Sequence, residues 1–214
     1  FQRKITVEQV LNARKEARKL LGLYDYAPIS DGAATLILTS EDVAKKFTDK
    51  PVYILGSSSA TDYLTFPARE DMVHFLVAKI AIKNALKMAG IGLWDMQIVE
   101  LYDQSTVMEM ISLEDMGFCE PGKAWRNIYK TCQNYKGYYE INEKKLFVNM
   151  NGGLKADGNP LGATGGAQIF EVFKQLRGEA GERQVKSDKE LKYGCVLELE
   201  GFGTKGYVHI LGRG

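Results

Sequence analysis

The chain has 214 residues, with 28 Lys and Arg against 27 Asp and Glu and a formal net charge of +1. A soluble chain of that length buries roughly 70% of its unfolded surface, so it forms one domain, or one and a part, without disulfide or metal staples. Balanced charge gives no electrostatic basis for nucleic-acid or membrane-surface binding, no apolar run reaches the ~20 residues that span a bilayer, and no segment reads as a signal peptide.

In chain order, the first element is an amphipathic helix over Thr6–Leu21, with Thr6 as its start, Gly22 as its stop and Val10, Leu11, Ala17, Leu20 and Leu21 on its apolar side. Pro28–Gly32 is a turn. Ala33–Thr39 reads as a strand, and Ser40–Lys46 as a short helix. Pro51–Gly56 is another strand, followed by a loop of small residues over Ser57–Asp62. The strongest helical signal covers Asp71–Ala89, where Val73, Leu76, Ile80, Ala81, Ala85 and Met88 recur at three and four residues. Ile98–Leu101 is a short strand and Thr106–Met116 a helix ending at Gly117. Residues 120–146 read as a polar, irregular insertion carrying Trp125, Tyr129, Tyr135, Tyr138 and Tyr139. It lacks the basic groove of a nucleic-acid platform, so packing or a subunit contact is the expectation. A strand at Phe147–Met150, a glycine-rich loop, a helix over Gly165–Arg177 and strands at Cys195–Leu199 and Tyr207–Leu211 complete a layered α/β domain. A boundary is expected near Lys46–Pro51.

The glycine-rich loop is the most informative stretch. Asn151–Gly165 reads N-G-G-L-K-A-D-G-N-P-L-G-A-T-G and opens into a helix. Its glycines allow sharp bends and close approach of another group, and a loop that ends on a helix start offers exposed N–H donors.

That spelling resembles the active-site loop of sterol-carrier-protein-type thiolases, N-x-x-G-G-x-x-x-x-G-H-P-x-G-A-T-G, with Asn159 in place of the histidine. Other segments carry the resemblance in the same order. I-T-V-E-Q-V-L at 5–11 is similar to the family's segment before its central strand, and I-S-D-G-A-A-T-L-I-L at 29–38 to P-I-S-D-G-A-A-A-L-V-L. V-E-L-Y-D-Q-S-T at 99–106 is similar to V-E-L-H-D-C-F-T, and L-E-D-M-G-F-C at 113–119 to L-E-D-L-G-F-C. The resemblance implies a thiolase fold, with residues 1–46 as the end of the N-terminal half and 51–214 as the C-terminal half. It places the nucleophilic cysteine upstream of anything present here. A chain that begins at Phe1 then reads as a fragment or a natural half-thiolase.

Thiolase chemistry needs an acid/base for the α-proton and donors for the developing enolate. By resemblance, four residues are catalytic candidates. Asn159 can donate an N–H to a thioester oxygen but cannot take a proton; the plainer role is a loop asparagine bonding its own backbone. Tyr102 replaces the first residue of H-D-C-F and can hold a water or donate to an enolate, or simply end a strand. Its L-Y-D spelling also resembles thiolase-related aldolases, which cleave β-hydroxyacyl-CoA side chains. Asp103 keeps the motif's carboxylate, more often a structural acceptor. Glu200 falls where ordinary thiolases place an acid/base cysteine; in an apolar pocket its pKa would rise, whereas in a hairpin it is a surface residue.

By the same analogy a coenzyme A thioester, as substrate and not as a tightly bound cofactor, runs along Ala27, Ser105, Gly158 and Gly203. The match of 201–206 to G-x-G-x-x-G is weak, because a strand follows it. His74 and His209 are expected in core or surface roles. Cys119, Cys132 and Cys195, an odd number without metal spacing, match no nucleophile position and fit a reduced, cytoplasmic setting, and no metal constellation exists. The resemblance implies a homo-oligomer (dimer or tetramer), a chain carrying the N-terminal half and a zinc-containing OB-fold partner. Three functions are open: a thiolase-type acyltransferase with diverged residues, an aldolase-like lyase, or a non-catalytic scaffold subunit.

Overall fold

A computed structural model describes residues 3–13, 20–133 and 136–214, and the backbone of 15–16. Tyr135 and Ala17 lie outside the described residues. The core is a six-stranded mixed sheet in the order β3-β8-β7-β4-β6-β5. Its strands are β3 (Val52–Thr61), β4 (Ile98–Leu101), β5 (Tyr139–Ile141), β6 (Lys144–Val148), β7 (Tyr193–Glu200) and β8 (Lys205–Arg213). β4 runs parallel to both β6 and β7, and the remaining pairs are antiparallel. Parallel neighbours direct their carboxyl ends to one edge, where open α/β sheets build ligand sites.

Helices cover both faces. α3 (Leu76–Ala89) lies on one, burying Val77, Ala78, Ala81, Ile82 and Ala85 at helical spacing and stopping at left-handed Gly90. α4 (Thr106–Asp115) joins that core through Met108 and Leu113. α7 (Thr164–Arg177) covers the opposite face, where Val172 and Leu176 meet Ile98, Val196 and Leu211. Among the described residues no helix is long and apolar enough to cross a membrane.

The structure corrects several expected elements. The first helix, α1 (Val7–Leu11), has the expected Thr6 cap, reciprocated by Gln9, but only five residues. Val7 and Leu11 are exposed, so no packing offsets the cost of a short helix. Lys15–Glu16 (β1) pairs instead with Leu21–Gly22 (β2). The expected strand at 33–39 joins no sheet, and Ile37 is 91% exposed. α2 (Glu41–Ala44) forms within the expected segment. The small-residue stretch Ser57–Thr61 continues β3, because β8 supplies ladder partners from Lys205 to His209; tertiary pairing outweighs propensity there. Residues 71–75 are not helical: the Asp71 carboxylate accepts from Val73 N and His74 N, a side-chain turn that competes with helix. His74 thus precedes α3 and binds Asp115 at 2.7 Å.

The described residues of the expected irregular insertion form regular elements. The insertion contains α5 (Ala124–Gln133) and the hairpin β5–β6. Glu114 accepts from Gly122 N and Ala124 N at the start of α5. The hairpin turns through Asn142 and Glu143, both at positive φ, a two-residue turn without the glycine that usually announces it.

Candidate active-site cleft

The glycines of the 149–165 loop do admit a close approach, and the approaching group is this chain's own 28–34 segment. A Cβ at Gly158 would collide with Ser30, one at Gly32 with Pro160 and one at Gly166 with Ala34. Asn159 N donates to Pro28 O at 3.1 Å, and Ser30 N to Asn159 O at 3.2 Å. Gly153, at φ +63°, leaves room for the Asp103 carboxylate, which accepts from Leu154 N at 2.9 Å. Gly158, expected at the CoA path, packs closely against Ser30. The short helix α6 (Gly153–Asp157) fills the loop.

Asn159 is fully buried. Its Nδ2 donates to Tyr102 Oη at 3.1 Å, while its Oδ1 accepts from Thr164 Oγ1 at 2.8 Å and Leu161 N at 3.3 Å. These bonds fix the amide orientation. Asn159 is thus bonded within the chain, to its own loop at Leu161 and Thr164 and to Tyr102. Because Tyr102 Oη accepts from Asn159, its own O–H is available as a donor. Burial raises the Tyr102 pKa above its usual value and holds the phenol protonated at neutral pH.

Tyr102 follows β4 directly and lines a cleft of about 570 Å³ together with Gly165, Glu198, Glu200, Tyr207 and His209. The cleft lies along the carboxyl ends of β4 and β7, with α7 as its other wall. Glu200 is at the rim. Its side chain is 61% exposed and pairs with Lys205 at 3.3 Å, so it occupies no apolar pocket. Of the two settings expected for Glu200, an apolar pocket or the surface of a hairpin, the structure has the second. Two residues earlier on the same face of β7, Glu198 points inward. Its Oε2 is buried without a hydrogen-bond partner among the described residues, and burial pushes its pKa up to about 8. The sequence did hold a signal for it: Glu198 is the one charge inside the apolar run G-C-V-L-E-L. His209 also lines the cleft with a buried Nδ1 that has no partner among the described residues, and burial lowers its pKa.

The other expected residues separate from this cleft. Asp103 lines a different, smaller cavity with Ser30, Glu100, Asp157 and Gln168. Burial first, then Glu109, pushes its pKa up to about 7. Ser105 caps α4 by accepting from Met108 N, and it bridges to Tyr26 beside Ala27, whose N–H donates to Gln104 O. Ala27 and Ser105 are thus neighbours through backbone contacts. Gly203 sits at φ +80° in the β7–β8 turn over Phe75, and buried Arg69 holds that turn through Phe202 O and Thr204 Oγ1. The G-x-G-x-x-G match is a hairpin, which excludes a dinucleotide-type helix start there. All three cysteines are free. Burial raises the pKa of Cys119, and that of Cys195 far more, so both are inert thiols at neutral pH. Among the described residues no group of three His, Cys, Asp or Glu is placed to hold a metal.

The buried carboxylates set the pH dependence of stability. Glu100, Asp103, Glu109, Asp115 and Glu198 all have raised pKa values, with burial the first cause of each. From the usual carboxylate range up to their raised folded values, about 7 for Asp103 and about 8 for Glu198, the folded chain holds protons that the unfolded chain has released. Stability is therefore full below about pH 4 for these groups and is lost as pH rises through their folded values. His209 acts oppositely, but it is one group against five. The melting temperature is expected to fall by several degrees between pH 5.5 and 8.5. Glu100→Gln, which keeps an acceptor for Met150 N, should flatten that slope; an unchanged slope would remove Glu100 from this account.

The layered sheet with helices on both faces is an α/β architecture that the chain shares with solved proteins of the thiolase fold. The chain resembles the solved Ltp2-ChsH2(DUF35) aldolase at TM-score 0.78 and 22% identity, covering 99% of this chain and 52% of that one. Against the acetyl-CoA acetyltransferase of Bacillus anthracis the TM-score is 0.67 at 19% identity, covering 98% and 43%. The family described as thiolase C-terminal domain-like matches residues 58–213, and the chain belongs to the thiolase family. It is 40% identical over 213 residues to acetyl-CoA acetyltransferase of Methanothermobacter thermautotrophicus, covering 100% of this chain and 53% of the relative. It is likewise 40% identical over 190 residues to sterol carrier protein 2 of Gallus gallus, covering 86% and 33%. The chain thus spans about half the length of these relatives, or less.

Proposed function

We propose that this chain supplies the enolate-stabilising half of an acyl-CoA site that makes or breaks a carbon–carbon bond beside the thioester. The observation that carries this is the Asn159–Tyr102 pair: a buried amide holds a protonated phenol with its O–H free, at the carboxyl edge of the sheet. Such a preoriented donor stabilises negative charge that develops on a thioester oxygen. In the acyltransferase reading, a cysteine nucleophile comes from an upstream segment or from a second chain carrying the N-terminal half. Relatives named acetyl-CoA acetyltransferase, about twice this chain's length, support that reading.

The second reading, an aldolase-like lyase, is favoured by the cleft itself. Retro-aldol cleavage needs a base and an enolate donor but no covalent cysteine, and both Cys119 and Cys195 are buried thiols. The neighbour whose name joins Ltp2 to ChsH2 supports it only through shared fold, and by analogy suggests a partner subunit. A homo-oligomer and a cytoplasmic setting belong to the same proposal. The test is turnover by the purified protein, with any chain that co-purifies, on two substrates. Thiolysis of acetoacetyl-CoA by CoA supports the acyltransferase, while cleavage of a β-hydroxyacyl-CoA alone supports the lyase. No turnover of either and no binding of an acyl-CoA by calorimetry would leave the scaffold reading.

A further inference from the structure

The geometry points to Glu198 as the group that moves the α-carbon proton of the acyl-CoA in this cleft. This rests on the proposed function above. Three observations converge on it. Glu198 lines the same cleft as Tyr102, from the neighbouring parallel strand. Its Oε2 is buried yet bonded to nothing among the described residues, an expensive arrangement for a carboxylate with only a structural role. The backbone opposite is Gly165, where an added Cβ would lie 3.4 Å from Glu198 Cγ, so the missing side chain leaves that wall of the cleft open beside the carboxylate.

The other groups around the cleft leave this work to Glu198. Tyr102 is held protonated and faces an acceptor role only through Asn159. Glu200 is exposed and paired with Lys205. Tyr207 and His209 come from β8, and burial lowers the proton affinity of His209, which leaves it a weaker base than Glu198. α7 contributes Gly165, Gly166 and Ile169, none of which titrates. Among the described residues no cation is paired with Glu198, and burial sets its proton affinity near physiological pH.

In the forward step the Cα–H bond breaks and its proton passes to the Glu198 carboxylate. The C–H electron pair becomes the C=C bond of the enolate, and the thioester carbonyl π pair moves onto oxygen, where the Tyr102 O–H donates to it. In reverse, the Glu198 carboxylic acid returns the proton to carbon. The atoms and charge balance with no further reactant.

The test is exchange of the α-protons of acetyl-CoA in D2O, followed by NMR, with acetyl-CoA binding measured on the same samples. The wild-type protein should exchange, with a rate that rises through about pH 8. Glu198→Gln should lower exchange at least 100-fold while binding changes less than threefold, and Glu198→Asp should retain part of the rate. Melting at pH 8.5 guards against misfolding: removing a buried unpaired charge should leave Glu198→Gln at least as stable as wild type. Exchange by Glu198→Gln within threefold of wild type, or a loss of stability at pH 8.5, would overturn the role of Glu198 and leave the Tyr102 reading intact. Binding without exchange by the wild type would do the same. No binding at all would overturn both.

Discussion

Tyr102→Phe is expected to lower turnover on the preferred acyl-CoA by about 100- to 1000-fold, the range seen when one donor to a developing oxyanion is removed. The change deletes a single oxygen and keeps the ring, which is 7% exposed and packed in the main core. Folding should therefore persist. KM should shift little, because the O–H matters most when charge has built up on the substrate oxygen. Asn159→Ala acts through Tyr102, so its effect should be smaller, about 10- to 30-fold. The double variant should be no slower than Tyr102→Phe alone, since residues that work as one unit are not additive. Additive losses would mean that Asn159 touches the substrate itself, in conflict with its complete burial. A Tyr102→Phe enzyme with unchanged kcat would remove the donor from the mechanism.

The parts of the fold legible in the sequence are those whose local pattern and tertiary setting agree. α3 and α4 end close to where their apolar periodicity ends, and β4, buried at every position, reads as a short apolar run. Errors arise where a distant partner decides. Ser57–Thr61 looks like a loop until β8 pairs with it. The 33–39 run looks like a strand because it is apolar, yet no neighbouring strand exists among the described residues, and Ile37 and Leu38 remain exposed. Asn142–Glu143 makes a tight hairpin with residues that sequence reading does not associate with one. In each case the missing information is nonlocal pairing or an unusual φ, neither of which is written in a propensity.

At the site, spelling is legible in the sequence and burial is not. Motif resemblance pointed to Tyr102 and Asn159, and the two do meet. It also pointed to Glu200, where a two-residue step along β7 exchanges a surface ion pair for an inward carboxylate. Strand alternation leaves Glu198 and Glu200 on one face, so only the depth of the cleft distinguishes them. The glycine loop carried a similar ambiguity. Glycines that admit a ligand and glycines that admit the chain's own backbone look identical in sequence. Here Gly153, Gly158 and Gly166 are taken by Asp103, Ser30 and Ala34, which leaves the cleft on the β7 side for chemistry.

The largest effect on stability is expected at Gly56, which the sequence presents only as the end of a strand. Gly56 lies at the register shift between β3 and β8, where α3 crosses the sheet. An added Cβ would overlap the backbone of Ala85, its carbonyl oxygen, carbonyl carbon and Cα together. A flexible side chain could swing aside, but a helix backbone anchored in the core through Ala81, Ile82 and Ala85 itself cannot move without lifting α3 from the core. Gly56→Ala should therefore cost about 3–4 kcal/mol, at or beyond the upper end of ordinary overpacking. Against a total of roughly 5–15 kcal/mol for a domain, that loss should lower the melting temperature by about 10 °C. Gly162→Ala is the matched control. Its Cβ meets nothing within 4 Å, and the change should stay within about 0.5 kcal/mol. If Gly56→Ala melts with the Gly162→Ala control, the contact of α3 on β3 is looser than this packing requires. Because β3 and β8 carry α3, and β8 pairs with the strand holding Glu198, a loosened α3 should also reduce acyl-CoA turnover at temperatures well below the melt. Loss of stability with full turnover would separate the α3 face of the sheet from the cleft on the α7 face.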